Sequence, residues 1–298
     1  MSLFELAALG AALCWAVSGI MTAGPSAHLG AFAFTRIRMS MVFVMLAAVV
    51  AVTGSWRTLD TGALGALCLS GVIGIFLGDT LLFATMNRLG PRRTSILFSL
   101  NAPLAVVLGW LLLGEALSGR QLAGIGVAFA GVLCAIVFGK RKSQLHTWEQ
   151  IRGPLWAGVA LGVGAALAQA AGSLIARPAM AAGAIDPVAG SVLRVGTAVV
   201  CFHIAMALPG ERFKAKQKLT FPVAAMTALS GFIAMAVGMT LLLFALKGGE
   251  VGVVSTLSAT SPALILPLLW MRTGEAPALG AWVGAALASA GSALIFSA

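Results

Sequence analysis

Ten apolar runs, each about as long as a bilayer is thick, follow one another along this chain with short polar breaks between them. They cover residues 3–23, 31–52, 62–86, 94–113, 120–138, 154–176, 187–207, 221–246, 251–271 and 278–296. A helix crossing the hydrocarbon core needs roughly 20 apolar residues. In lipid, every backbone N–H and C=O must find its partner within the protein. The runs are too long for strands and lack period-two alternation, so the expected fold is an all-α membrane protein with ten transmembrane helices. Charge agrees: 9% of the 298 residues are charged, against about a quarter in a soluble domain. Such a chain cannot cover a globular surface with polar groups. That excludes a cytosolic enzyme, a secreted disulfide module and a disordered chain.

The net charge of +10 would point a soluble protein towards nucleic acid. Here the cations fall mostly in short loops between the runs, as anchors against anionic head groups, and no nucleic-acid partner is expected. The first run begins at Leu3 with no Lys or Arg before it, so it reads as the first span and not as a cleavable signal. Cys14, Cys68, Cys134 and Cys201 each lie inside an apolar run. They form no CxxC pair and no zinc spacing, and are expected as buried free thiols. No metal and no cofactor is expected, and no Walker loop offers direct ATP drive.

Pro25, Pro91, Pro154, Pro178, Pro187, Pro209, Pro222 and Pro277 fall at or near run ends, where helices start or stop. Pro103, Pro262 and Pro267 fall deep inside and predict kinks in the fourth and ninth spans. The basic stretch 139–153, with Lys140, Arg141 and Lys142, divides residues 1–138 from 154–298. These halves match at a shift of 160. Gly78, Thr80 and Leu81 meet Gly238, Thr240 and Leu241; Trp110 meets Trp270; Gly114-Glu115-Ala116 meets Gly274-Glu275-Ala276; Gly124 and Gly131 meet Gly284 and Gly291. Arg36 has a counterpart in Arg194 after a small gap. Five spans per repeat is an odd number, so the second repeat must enter the membrane inverted. Inverted repeats put a site near the midplane at the repeat interface.

Each half resembles an EamA repeat of the drug/metabolite transporter superfamily. The carrying features are Pro103 and Glu115 followed by Gly124 and Gly131, then Pro262 and Glu275 followed by Gly284 and Gly291, with Arg36 and Arg194 in each second helix. The resemblance implies a ten-helix, exporter-like carrier of small metabolites. Its cavity would be lined by helices 1, 3, 4, 6, 8 and 9, with helices 5 and 10 structural. Relatives include exporters of amino acids and carriers of sugars, nucleotide sugars or phosphorylated compounds. The location expected is multi-pass, in a bacterial inner (plasma) membrane.

The candidate substrate residues are Trp15, Ser18, Asp79, Phe83, Ser95, Ser99, Asn101, Gln169, Ser173, Thr240, Ser255 and Ser258. Asp79 is the one carboxylate deep within a span, and such a charge faces a cavity or a partner. It either binds an ammonium group or a transported proton, or it pairs with Arg36 or Arg38 or caps a broken helix. Met239 stands at its matched position. Arg36, Arg38 and Arg194 either fork onto a carboxylate or snorkel and bond helix-end carbonyls. Ser95, Ser99 and Asn101 near Pro103, and Ser255, Ser258, Thr260 and Ser261 near Pro262, either join carbonyls freed by proline in a substrate site or bond between packed helices. Trp15 with Ser18, Gln169 with Ser173, and Phe83 would wall an amphipathic ligand, or pack as core. Glu115 and Glu275 are expected to cap loops or pair with Arg. His203 would bond between helices, or carry a proton. Glycines four apart (Gly74 and Gly78, Gly158 and Gly162, Gly280 and Gly284) are packing sites.

An intramembrane enzyme would need paired Asp, HExxH, or Ser with a base, and none is present in the sequence; no enzyme is expected. The alternatives are a carrier of another solute class, such as a sugar, nucleotide sugar or drug, an intramembrane enzyme as the rival from another class, and a passive channel or a membrane scaffold as a third reading. The expected partners are a small-molecule solute, the bilayer and protons, with a monomer or a weak homodimer through helix 10. Loops 1–2, 3–4, 5–6, 7–8 and 9–10 hold Arg88, Arg92, Arg93, Lys140, Arg141, Lys142, Arg152, Arg212, Lys214, Lys216, Lys218 and Arg272. The other face holds Arg57, Arg120, Arg177 and Lys247. The positive-inside rule puts the first face in the cytoplasm and both termini outside, whereas the resemblance implies termini inside.

Overall fold

A computed structural model describes residues 2–140, 146, 148, 150–181, 185–210, 213–248 and 251–297. Arg141, Lys142 and Arg212, and the side chain of Lys247, lie outside the described residues. The described chain is all helical: α1 Leu3–Leu29, α2 Ala31–Thr53, α3 Thr61–Ser70, α4 Gly78–Phe98, α5 Asn101–Leu113, α6 Gly119–Phe138, α7 Leu155–Ala181, α8 Pro187–Met206, α9 Phe221–Gly231, α10 Met239–Gly248, α11 Val251–Ser258, α12 Ser261–Thr273 and α13 Leu279–Phe296. Among the described residues, nine segments are long and apolar enough to span a membrane, and Asn101–Leu113 is shorter. The longest, Thr61–Phe98, changes direction at Gly90, where φ is +79°. It therefore holds the third span and the start of the fourth, which α5 completes.

Contacts between helix ends sort those ends into two faces. On one, Lys216 N–H donates to the Leu29 carbonyl and Arg152 N–H to the Arg88 carbonyl, while His146 N–H donates to Glu275. On the other, Asp186 N–H donates to Thr58, Arg177 pairs with Glu115, Arg120 donates to the Ser297 carbonyl, and Phe4 stacks near Phe244. Thus α1 starts at the second face and α7, at the matched place in the other half, starts at the first. The two five-span repeats are inverted.

The repeats also interlock. The first helix of each lies against the third span of the other: α1 packs on α9 and the turn after it, and α7 on α3 and the turn after it. Ser18 donates to the Ser230 carbonyl at 3.0 Å, and Ser70 donates to the Gly172 carbonyl at 2.6 Å. All four residues sit at corresponding seams. Interhelical hydrogen bonds of this kind in membranes average roughly 0.6 kcal/mol. Ser18→Ala with Ser70→Ala is therefore expected to cost about 1 kcal/mol in the pair, read as a small fall in melting temperature in detergent.

In each third span a wide, π-helical turn interrupts the α-helix, at Gly71–Leu77 and at Phe232–Gly238. Threonine hydroxyls bond back across the exit of each turn, Thr80 to the Phe76 carbonyl and Thr240 to that of Ala236. Such turns mark functional sites in many helices. The fourth and ninth spans break at Ser99–Leu100 and Ala259–Thr260, just before Pro103 and Pro262. A proline ring disfavours helical geometry at the residue before it and leaves the carbonyl one turn earlier without its donor, as the kinks expected near Pro103 and Pro262 required, whereas α12 continues through Pro267.

Helices α6 and α13 touch backbone to backbone. A Cβ added at Gly131 would lie 2.5 Å from Ala288 N, and one at Gly291 2.5 Å from Ala128 N. The glycine face of α13 is filled by α6 of the same chain. Gly74 and Gly78 admit α7, and Gly158 and Gly162 admit Leu89 and Leu97. Trp110 and Trp270, matched across the repeats, are both about half exposed, as interfacial anchors are.

Three sequence expectations change. Helices α1 and α7 run on past Pro25 and Pro178, because one lost hydrogen bond near a helix end is tolerated when the chain stays packed. Arg92 and Arg93 are not lipid anchors: they are 1% and 2% exposed and donate to the Ala135 and Leu89 carbonyls. The four cysteines are free but half-buried, since their helices face lipid on one side.

Candidate functional site

A cavity of about 430 Å³ lies between α1, α9 and α12, near the basic face. Its α1 wall is Val17, Ile20, Met21, Gly24 and Pro25, a rise of about 12 Å at 1.5 Å per residue. Pro25 has no N–H, so the Met21 carbonyl lacks its usual helical donor, and both residues line the cavity. Met226 from α9 and Leu268, Met271 and Arg272 from α12 face them, and Trp148 closes one side. Methionine adapts to varied shapes. Arg272 supplies the charged group.

Trp148 belongs to the inter-repeat segment, which sequence reasoning treated as a plain basic loop. Its backbone N–H donates to Nδ1 of His146 at 3.2 Å, and the backbone N–H of His146 donates to Glu275 Oε1 at 3.0 Å. The two rings meet edge to face at 5.1 Å. The indole packs against the buried cluster that contains Phe34, Phe83 and Met86. A Cβ at Gly90 would strike the Trp148 carbonyl, so the positive-φ glycine lets the Trp148 backbone come close. The sequence signal was an aromatic pair, His146 and Trp148, in an otherwise polar stretch. Glu275 thus holds His146 at the basic face. Its counterpart Glu115 pairs with Arg177 at 2.7 Å at the other.

Below the cavity lies a charged cluster. Asp79 opens α4, ten residues and so about 15 Å from Leu89, which is half of a hydrocarbon core about 30 Å thick. Arg38 stands on α2, seven residues in from the basic face. Arg194 stands on α8, seven residues in from the opposite face. Both interact electrostatically with Asp79. Arg38 is 6% exposed, with its guanidinium 5.7 Å from the centroid of Phe83. Arg194 lies against Gly74 of the π-helical turn. The Nε atoms of Arg36, Arg38 and Arg194 are buried without a hydrogen-bond partner.

The other sequence candidates scatter around this axis. Trp15 donates from Nε1 to the Ala234 carbonyl at 3.2 Å, and Ser18 is engaged as described above. Ser99 donates to the Ile96 carbonyl and Asn101 to that of Phe98, which ties both to the break in the fourth span. Ser258 donates to the Ser255 carbonyl, and Ser261 to Ala12 of α1. Ser95, Gln169 and Ser255 are half-buried, and Thr240 and Ser173 are exposed. None of the twelve candidates lines the cavity at the basic face. His203 is exposed and bonds the Val199 carbonyl within its own helix, not a neighbouring one. Among the described residues, no group of His, Cys, Asp and Glu is arranged to hold a metal ion.

Comparison with known proteins agrees with this architecture. A family model described as the EamA-like transporter family matches residues 2–137 and again 156–297. No curated protein matches the chain. One crystal structure, described simply as that of a protein, is similar over 98% of this chain and 95% of its own, with a TM-score of 0.66 and 18% identity. That likeness is one of fold. The two-fold match, the ten inverted spans and the interlocked repeats make this chain a member of the EamA-like transporter family.

Proposed function

We propose that the protein carries a small amphipathic metabolite, such as an amino acid, across a bacterial inner membrane by alternating access, in the direction of export. The observation that carries the reading is the reciprocal packing of α1 and α7 on the opposite repeat's third span. Two inverted units sharing one seam have two equivalent packings, one opening to each face. The positive-inside rule makes the basic face cytoplasmic. The cavity then lies near the compartment from which an exporter loads. Amino-acid character and export rest on the family resemblance, and protons are the coupling ion considered. The test is counterflow in proteoliposomes with labelled phenylalanine. Saturable uptake accelerated by unlabelled solute inside supports a carrier; flux that is linear in concentration and indifferent to the trans side indicates a channel.

Gly24 offers a clean block. It lines the cavity, and a Cβ there would meet nothing within 4 Å. Gly24→Leu is expected to cut counterflow at least about tenfold while leaving the melting temperature unchanged or slightly raised, since leucine favours helix over glycine by roughly 0.8 kcal/mol. Gly126→Leu on the exposed face of α6, also with open space, is the control and should transport normally.

A further inference from the structure

We infer that the carried solute is recognised through a negative charge, a carboxylate or phosphate on an apolar body, taken by the arginines that outnumber the single carboxylate at the centre of the membrane. This rests on the carrier reading and narrows its substrate class.

Charge balance is the first support. Asp79 can neutralise one guanidinium, yet it interacts electrostatically with both Arg38 and Arg194. One positive charge is left over at midplane depth, where an unbalanced ion costs several kcal/mol. Unmet bonding capacity is the second. The Nε atoms of Arg38 and Arg194 are buried and unpartnered. A buried donor left unsatisfied is costly, and a guanidinium fork matches carboxylate or phosphate oxygens in pairs. The route in is the third. The cavity has apolar walls and Arg272 at its basic end. Its Trp148 wall packs on the cluster that contains Phe83, over which Arg38 lies. An amphipathic anion meets attraction at the mouth and apolar contact along the wall, with the surplus guanidinium beyond that wall, over Phe83. A cation meets repulsion at the mouth.

The two arginines come from spans of opposite repeats and from opposite faces. Whichever pairs with Asp79, the other is free for the solute. Exchange of that pairing would hand the anion from one repeat to the other as access alternates.

The test uses purified full-length protein and matched probes with one ring: N-acetylphenylalanine and phenyl phosphate as anions, N-acetylphenylalaninamide as the neutral body, and phenylalaninamide as the cation. Binding is read by thermal stabilisation, and transport by counterflow in proteoliposomes. At least one anion should stabilise the protein, the neutral probe less, and the cation not at all. Which anion does so separates carboxylate from phosphate recognition. Arg38→Gln and Arg194→Gln should each weaken that anion's binding about tenfold or more, as loss of one charge-assisted hydrogen bond does. Arg38→Lys and Arg194→Lys, which keep the charge, should lose less and control for misfolding. Stabilisation by the cation equal to that by the anions, or no stabilisation by either anion, overturns the inference. If anions bind but never exchange across the vesicle, the carrier reading fails and anion recognition stands. If the cation exchanges saturably, the reverse holds.

Discussion

Asp79→Asn is expected to be the most damaging single substitution in the membrane interior. It leaves Arg38 and Arg194 without the counter-charge they share. Removing one member of a buried ionic group typically costs about 3–5 kcal/mol, because the remaining charge stays uncompensated. The variant should melt well below the parent in detergent, and its counterflow should fall at least about tenfold. The cause can be isolated with a second change. Asp79→Asn combined with Arg194→Gln restores the parent's net charge in the cluster, and should recover much of the stability without recovering transport. A double variant that melts no higher than Asp79→Asn alone would mean that Asp79 acts through packing and not through charge. Full activity in Asp79→Asn would remove the residue from the mechanism.

The seam between α6 and α13 carries the second large effect. Gly131 and Gly291 stand where any Cβ meets backbone nitrogen of the facing helix at 2.5 Å, so relief requires the helices to move apart along their length. Overpacking usually costs about 1–3 kcal/mol and sometimes more. Here the upper end is expected for Gly131→Val, because backbone atoms cannot rotate away. The melting temperature and folded yield should drop sharply. Solute affinity in the surviving protein should be unchanged, since Gly131 and Gly291 face the opposing helix and do not line the cavity. Loss of affinity at normal stability would instead place α6 and α13 in the transport pathway.

The ten spans were legible because bilayer thickness fixes helix length, and the inversion because an odd number of spans per repeat allows nothing else. Gly-Glu-Ala with its flanking Trp and Gly revealed the duplication, and the inward-facing glycines proved to be helix contacts. Other features left little trace. A π-helical turn shifts hydrophobic register by one residue, and in a span apolar on every side there is no register to shift. Met21, Met226 and Met271 line the cavity but read as ordinary span residues. Arg92 and Arg93 read as loop cations because burial beneath Gly90 depends on a tertiary break that local sequence does not encode. Polarity drew attention to Ser95, Ser99, Ser255 and Ser258, yet serine and threonine hydroxyls in helices readily bond backbone carbonyls one turn back. Ser99 and Ser258 do so here. Asp79 was legible as a charge in the membrane, and Arg36 and Arg38 were named as alternatives for its partner; of these, Arg38 is the one that interacts with it electrostatically. Arg194 was not named, because its approach from the opposite repeat needs the interlocked packing.

Two packings of one inverted pair must change the two faces in opposite senses, and distances between spin labels measure this directly. In lipid nanodiscs, with the native cysteines replaced, one label pair would sit at Leu219 and Met271 across the basic face. A second pair would sit at Val52 and Leu113 across the other. Two distance populations at each face are predicted, with reciprocal weights, so that a shift in conditions which shortens one pair lengthens the other by the same fraction of molecules. A single unchanging distance at both faces, or both faces widening together, would contradict alternating access.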